Sequence, residues 1–204
     1  MIPLLRSACI SSIMTKRFPV EVTVSAGACI FGCLLILLVP AGLIISFFLA
    51  AIIHETGHLL ALFLFRVPVY GISLRIGGAV IETAAVSVKE ELACAAAGPL
   101  GSFLCLLFLH RFPVFALCAL IQGVFNLLPV YPMDGGRMLR CICLLFCPRH
   151  AASICNMVGR SVIAAFPALC MFLFLHTSEH LFLFLAFYFL LQTCHKIKIS
   201  CKEH

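Results

Sequence analysis

Apolar positions along this chain come in long unbroken runs separated by short polar or proline-containing breaks, not in the one-sided stripes of helices around a soluble core. The runs predict spans at about Val22–Leu38, Leu43–Phe65, Leu92–Leu109, Val114–Leu128, Ser161–Leu175 and Leu181–Cys194. Pro40 and Gly42 separate the first two, and Lys89, Glu90 and Glu91 open the third. Between spans two and three the period changes. Ile72, Leu74 and Ile76 alternate with Ser73 and Arg75, then Gly77-Gly78 leads into Ala79-Val80-Ile81. That alternation about a glycine pair predicts a β-hairpin, and a plain connecting loop is the competing reading. The expected fold is an all-α polytopic membrane protein of about six transmembrane helices, with a short membrane-associated β-hairpin between helices two and three.

Composition agrees with this pattern. With 63% hydrophobic and 11% charged residues, the chain exceeds what a soluble domain can bury. Its 204 residues are filled by the spans, so residues 1–204 are expected to form a single intramembrane domain. The net charge of +6 bears on topology rather than on nucleic acid. With six spans, twelve Lys and Arg residues fall on one side and Arg111 on the other, which predicts cytoplasmic termini. No signal peptide is expected in residues 1–20. The 13 cysteines include no C-x-x-C pair, and the Cys141, Cys143 and Cys147 cluster reads as small apolar packing.

Chemistry enters at His54-Glu55-Thr56-Gly57-His58, inside span two. Histidines four apart share one helix face, so both imidazoles can reach one metal ion, and Glu55 is placed to take a proton from water. A charged group at the centre of a lipid-embedded helix costs about 2.5–3.5 kcal/mol, so ionisable residues there usually serve a purpose. The plainer reading is a pair of buried histidines and a glutamate bracing other helices. A catalytic zinc takes three protein ligands and an open position. Asp134, the only aspartate in the chain, lies in the Pro129–Arg137 proline-glycine segment on the same membrane side as His58. It is the candidate third ligand, with helix capping as its alternative. Asn126 is the candidate substrate-binding or oxyanion group, or else a helix-packing amide. The small-residue run Ala95–Ser102 is explained by close helix packing alone.

His54-Glu55-Thr56-Gly57-His58, Ala97-Gly98-Pro99 and Asn126 through Gly135 together resemble the site-2 protease family of intramembrane zinc metalloproteases, and within it the sporulation-type branch that processes a sigma-factor precursor. The resemblance implies His54, His58 and Asp134 as zinc ligands, Glu55 as the catalytic acid-base, and the Gly77 hairpin as a substrate-contacting sheet. It also implies a membrane-embedded or membrane-tethered protein substrate with an unwound segment. Ser102 stands where many members have Asn, and Met133 where Leu is usual. No inserted PDZ segment and no CBS segment are expected. The function expected is an intramembrane zinc endopeptidase. Its alternatives are a non-proteolytic zinc-binding or zinc-transport membrane protein and a protease-like scaffold.

Overall fold

The computed structural model of the chain describes residues 21–75, 78–131 and 133–177, together with Ala186 and Phe189. It opens with strand β1 (Glu21–Val24) and helix α1 (Ala26–Leu38), then Pro40 starts α2 (Ala41–Leu64). The expected first span at Val22 therefore begins as a strand. Glu21-Val22-Thr23-Val24 has β-branched residues at alternate and adjacent positions, a preference the apolar run concealed. The 13 residues of α1 reach only about 20 Å, short of a hydrocarbon core of about 30 Å.

Helix α2 stops in a Schellman arrangement. Arg66 takes a left-handed conformation (φ 56°), its N–H bonding Phe63 O, while Val67 N–H bonds Leu62 O. Pro68 then sends the chain into β2 (Val69–Arg75), which pairs antiparallel with β3 (Gly78–Thr83) in a register that sets Ile72 opposite Ile81. The alternating segment is thus a strand pair, with Ile76 and Gly77 of its turn outside the described residues. β1 adds in parallel to β2, so the sheet order is β1-β2-β3 and β2 is central.

Ser87 starts α3 (Val88–Leu104) through a capping box with Glu90, and a 3₁₀ turn at Cys105–Phe108 extends it. α4 (Pro113–Asn126) has proline in its first turn, where the missing N–H costs nothing. α5 (Asp134–Phe146) follows the proline-glycine segment. α6 (Ala151–Thr177) begins ten residues before the expected fifth span, because Ala151 to Arg160 is helical despite its polar side chains. The expected sixth span lies outside the described residues except at Ala186 and Phe189. Among the described residues three helices are long and apolar enough to cross a membrane: Ala41–Leu64, Val88–Phe108 and Pro148–Thr177, with Pro113–Asn126 shorter. The molecule is an integral membrane protein.

Packing follows membrane rules. Leu60, Phe63, Leu104, Leu107 and Ile121 point outward, while Ala50, Ala95, Ala116 and Ala119 are fully buried between helices. Lipid is as apolar as leucine, so close backbone approach, not exclusion of apolar surface, selects the interior residues. A Cβ at Gly57 would come 2.5 Å from Ala97 O, which marks how tightly α2 meets α3. Accordingly Gly57→Ala should destabilise the fold by about 1–3 kcal/mol. Gly32→Ala, where a Cβ meets nothing within 4 Å in the interior of α1, should hold stability or raise it by up to about 1 kcal/mol. Reversible denaturation in mixed micelles distinguishes the two, and equal stabilities would refute the packing assignment.

Candidate metal centre

His54 and His58 are buried on the inner face of α2, turned away from the lipid-facing Ile52 and Leu60. Their rings stack edge to face with Nε2 atoms 3.3 Å apart. Asp134 arrives at the first residue of α5 and places Oδ2 3.0 Å from His54 Nε2 and 3.2 Å from His58 Nε2. Tetrahedral ligands at about 2.0–2.1 Å from an ion would lie roughly 3.3 Å apart. The three edges of this triangle match that requirement closely, and His54, His58 and Asp134 form a group that can hold a metal ion.

Each ligand's remaining polar atom is tied down from outside. The Cys94 carbonyl accepts from His58 Nδ1 at 2.8 Å, which fixes the proton there and leaves Nε2 as a lone pair. In the same tautomer His54 Nδ1 donates to Ser102 Oγ at 2.9 Å. Arg137 spans two carboxylates, with Nη1 3.8 Å from Asp134 Oδ1 and Nε 3.8 Å from Glu91 Oε1. Two imidazole lone pairs and a carboxylate oxygen thus converge on one buried point. They repel one another unless a cation sits between them, and the set leaves a fourth position open.

Glycines make this approach possible. A Cβ at Gly98 would overlap Nε2 and Cε1 of His58 and lie 2.9 Å from His54 Nε2. One at Gly135 would collide with Leu127 O, and one at Gly136 with the Val130–Tyr131 backbone. These two glycines let the segment after α4 fold under the first turn of α5, which sets the depth of Asp134. The capping alternative for Asp134 is not realised, because the cap residue is Met133 and no side chain caps the helix.

Glu55, partly buried on α2, lies within electrostatic reach of His54, His58, Asp134 and Arg137. Asn126 ends α4 with Nδ2 3.3 Å from His54 Nε2. All five residues singled out from the sequence therefore gather at one place. Sequence reasoning missed Ser102, treated there as a departure of uncertain role, and also missed the Cys94 carbonyl, Gly98 and Arg137. Spacing held a signal for three of them, since Cys94, Gly98 and Ser102 repeat every four residues and so share one face of α3. Cys141 is fully buried, and burial with Glu91 alongside pushes its thiol up to about 11, as expected of a packing cysteine.

Comparison with known proteins agrees with this geometry. Residues 106–166 match the model of Peptidase family M50. A zinc metalloprotease of Methanocaldococcus jannaschii is 35% identical over 116 residues, covering 50% of this chain and 34% of the relative. The chain thus spans about a third of the length of that curated relative. The solved site-2 protease from the same organism superposes with a TM-score of 0.64 at 23% identity, covering 85% of this chain and 89% of that one. That likeness establishes a shared fold.

The Ser102 contact yields a test. Losing a partner that orients a metal-binding histidine typically lowers metal affinity 10–100-fold. Ser102→Ala should show a loss of about that size in a competitive Co²⁺ titration, with the thermal midpoint of the apo protein nearly unchanged. An unaltered affinity would remove Ser102 from the metal site.

Proposed function

We propose that this chain belongs to the site-2 proteases of peptidase family M50 and is an intramembrane zinc endopeptidase acting on membrane-embedded or membrane-tethered proteins. The observation that carries the reading is the convergence of His54, His58 and Asp134 beside Glu55 within apolar helices. The donor set, two imidazole nitrogens and one carboxylate oxygen, suits zinc. When bound, zinc supplies Lewis acidity that brings the pKa of water down toward about 7.

The side chains divide the remaining work. Glu55 accepts the proton of the attacking water and delivers it to the leaving amine. Asn126 offers its amide N–H to the scissile carbonyl oxygen, where negative charge develops. Ser102 and the Cys94 carbonyl hold the two rings, and Arg137 holds the outer oxygen of Asp134. Exclusion of bulk water by the helices strengthens each of these interactions.

A substrate helix has its carbonyls committed to internal hydrogen bonds and must be unwound before attack. The outer edge of β3 has no strand partner among the described residues, so it offers main-chain groups to an extended segment. In our reading residues 1–204 form one protease domain with both termini in the cytoplasm. The site then opens toward the cytoplasmic half of the membrane, and cleavage releases a cytoplasmic factor such as a sigma-factor precursor product.

The decisive variant is Glu55→Gln. It should lower cleavage of a co-expressed single-span precursor by at least about 100-fold while the purified protein keeps its zinc. Chelation of the wild type should abolish cleavage, and added zinc should restore it. Undiminished cleavage by Glu55→Gln would overturn the assigned acid-base. Zinc flux into proteoliposomes that survives this substitution would favour a transport function instead.

A further inference from the structure

One polar atom near the site takes no part in the chemistry just described. Gln122 lies on α4 four residues before Asn126, so the two side chains are neighbours on one side of the helix. The residue is partly exposed, yet its Oε1 is buried and finds no hydrogen-bond partner among the described residues. A buried amide oxygen without a donor is destabilising, and satisfied groups are the rule in folded proteins.

Its neighbours along α4 locate the residue relative to the ligands. Ala119 packs with Ala50 and Cys105, a Cβ at Gly123 would lie 3.0 Å from that of Ser102, and Asn126 reaches His54. Gln122 is therefore at the margin of the face that α4 turns toward the metal ligands, one turn deeper than Asn126. Four residues of α-helix rise about 6 Å. Two residues of an extended peptide advance about 6.6–6.8 Å, and its edge N–H and C=O groups recur at that interval. Asn126 and Gln122 are thus spaced as two successive rungs along one edge of an extended chain.

We propose that Gln122 is a substrate-positioning residue whose partly exposed side chain rotates to let Oε1 accept a hydrogen bond from a backbone N–H of the unwound substrate, two residues from the peptide group held by Asn126. The proposal rests on the protease reading above for the identity of its ligand. An amide oxygen only accepts, so its partner is an N–H or an O–H. A water molecule would meet the same need, but water requires no register, and the spacing to Asn126 favours a peptide. The unmatched oxygen of the free protein becomes matched when substrate binds, so the interaction favours the complex alone.

The test uses the zinc-loaded 204-residue chain in detergent micelles, in a Glu55→Gln background that retains the bound peptide. The probe is a fluorescent single-span peptide of about 25 residues with a Gly-Pro pair in its cytoplasmic half. Gln122→Leu should raise its Kd about three- to tenfold, as expected for one lost hydrogen bond. Gln122→Met, unbranched and without an amide, should do the same. In both variants the thermal midpoint should hold steady or rise, because an unsatisfied polar atom has been removed. With Glu55 intact, KM should rise while kcat stays constant. An unchanged Kd, a weaker Kd accompanied by a lowered midpoint, or no measurable binding before Gln122 is altered would overturn the proposal. A fall in kcat at constant KM would assign the oxygen to water and overturn it equally. Whether Glu55-dependent cleavage occurs judges the protease reading by itself, because the binding measurement needs no turnover.

Discussion

The contact on which the rest of this molecule depends is the approach of Asp134 Oδ2 to the Nε2 atoms of His54 and His58. Three electron-rich atoms within hydrogen-bonding distance of one another are held together in a medium of low dielectric, where each would be poorly tolerated alone. What keeps them there is the set of restraints on their far sides. One imidazole is anchored to a backbone carbonyl, the other to a hydroxyl, and the outer carboxylate oxygen to a guanidinium. The ligand atoms are consequently aimed by groups on α3 and α5 as well as by the helix that carries the histidines. An ion that occupies the centre turns mutual repulsion into attraction without any ligand having to move.

Depth in the membrane follows from helix length. α4 has 14 residues and rises about 21 Å, too little to cross a hydrocarbon core of about 30 Å. Counted from an interface at Pro113, the irregular backbone after Asn126 starts inside the apolar layer rather than beyond it. Non-helical chain at such depth is tolerated only under protein cover. Val130 and Met133 are nearly inaccessible, packed with Phe189 and flanked by Phe125 and Phe166, and they supply that cover. A longer α4 would carry Asp134 out to the interface, away from imidazoles fixed midway along α2. The short helix and the buried loop are thus the means by which a soluble-type ligand set is submerged.

The candidate site was legible in the sequence because it consists of residues that lipid discourages. A histidine pair with a glutamate in span two, the lone aspartate and an asparagine before two prolines each stood out against an apolar background. The β2–β3 pair was legible for a related reason, since its two-residue alternation interrupts that background. β1 was hidden because Val22 and Val24 continue the hydrophobic run of α1, so no contrast marked the boundary. The first ten residues of α6 were hidden by the opposite effect. Ser153, Asn156 and Arg160 look like a loop, although nothing in them forbids a helix and no glycine-proline break separates them from the apolar part. Ser102 and Gly98 were read as packing residues and as marks of a family resemblance but not as parts of the site, because small side chains in a membrane helix are so commonly explained by close approach.

That common explanation is incomplete for the Ala-Gly-Pro run of α3. Gly98 leaves out a side chain where two imidazoles must meet, which is a requirement of the ligand set and not of helix packing. Pro99, one residue on, has no N–H to return to the Ala95 carbonyl, so the α3 turn beginning near Cys94 is held less tightly. One residue earlier on α3, the Cys94 carbonyl accepts the hydrogen bond of His58 Nδ1. Gly98 therefore opens the space for the rings, and the same turn of α3 supplies the carbonyl that orients one of them. An α3 built from alanines would press a Cβ at position 101 against the Ile53 carbonyl of α2 and, at position 98, close the space that the metal ligands occupy.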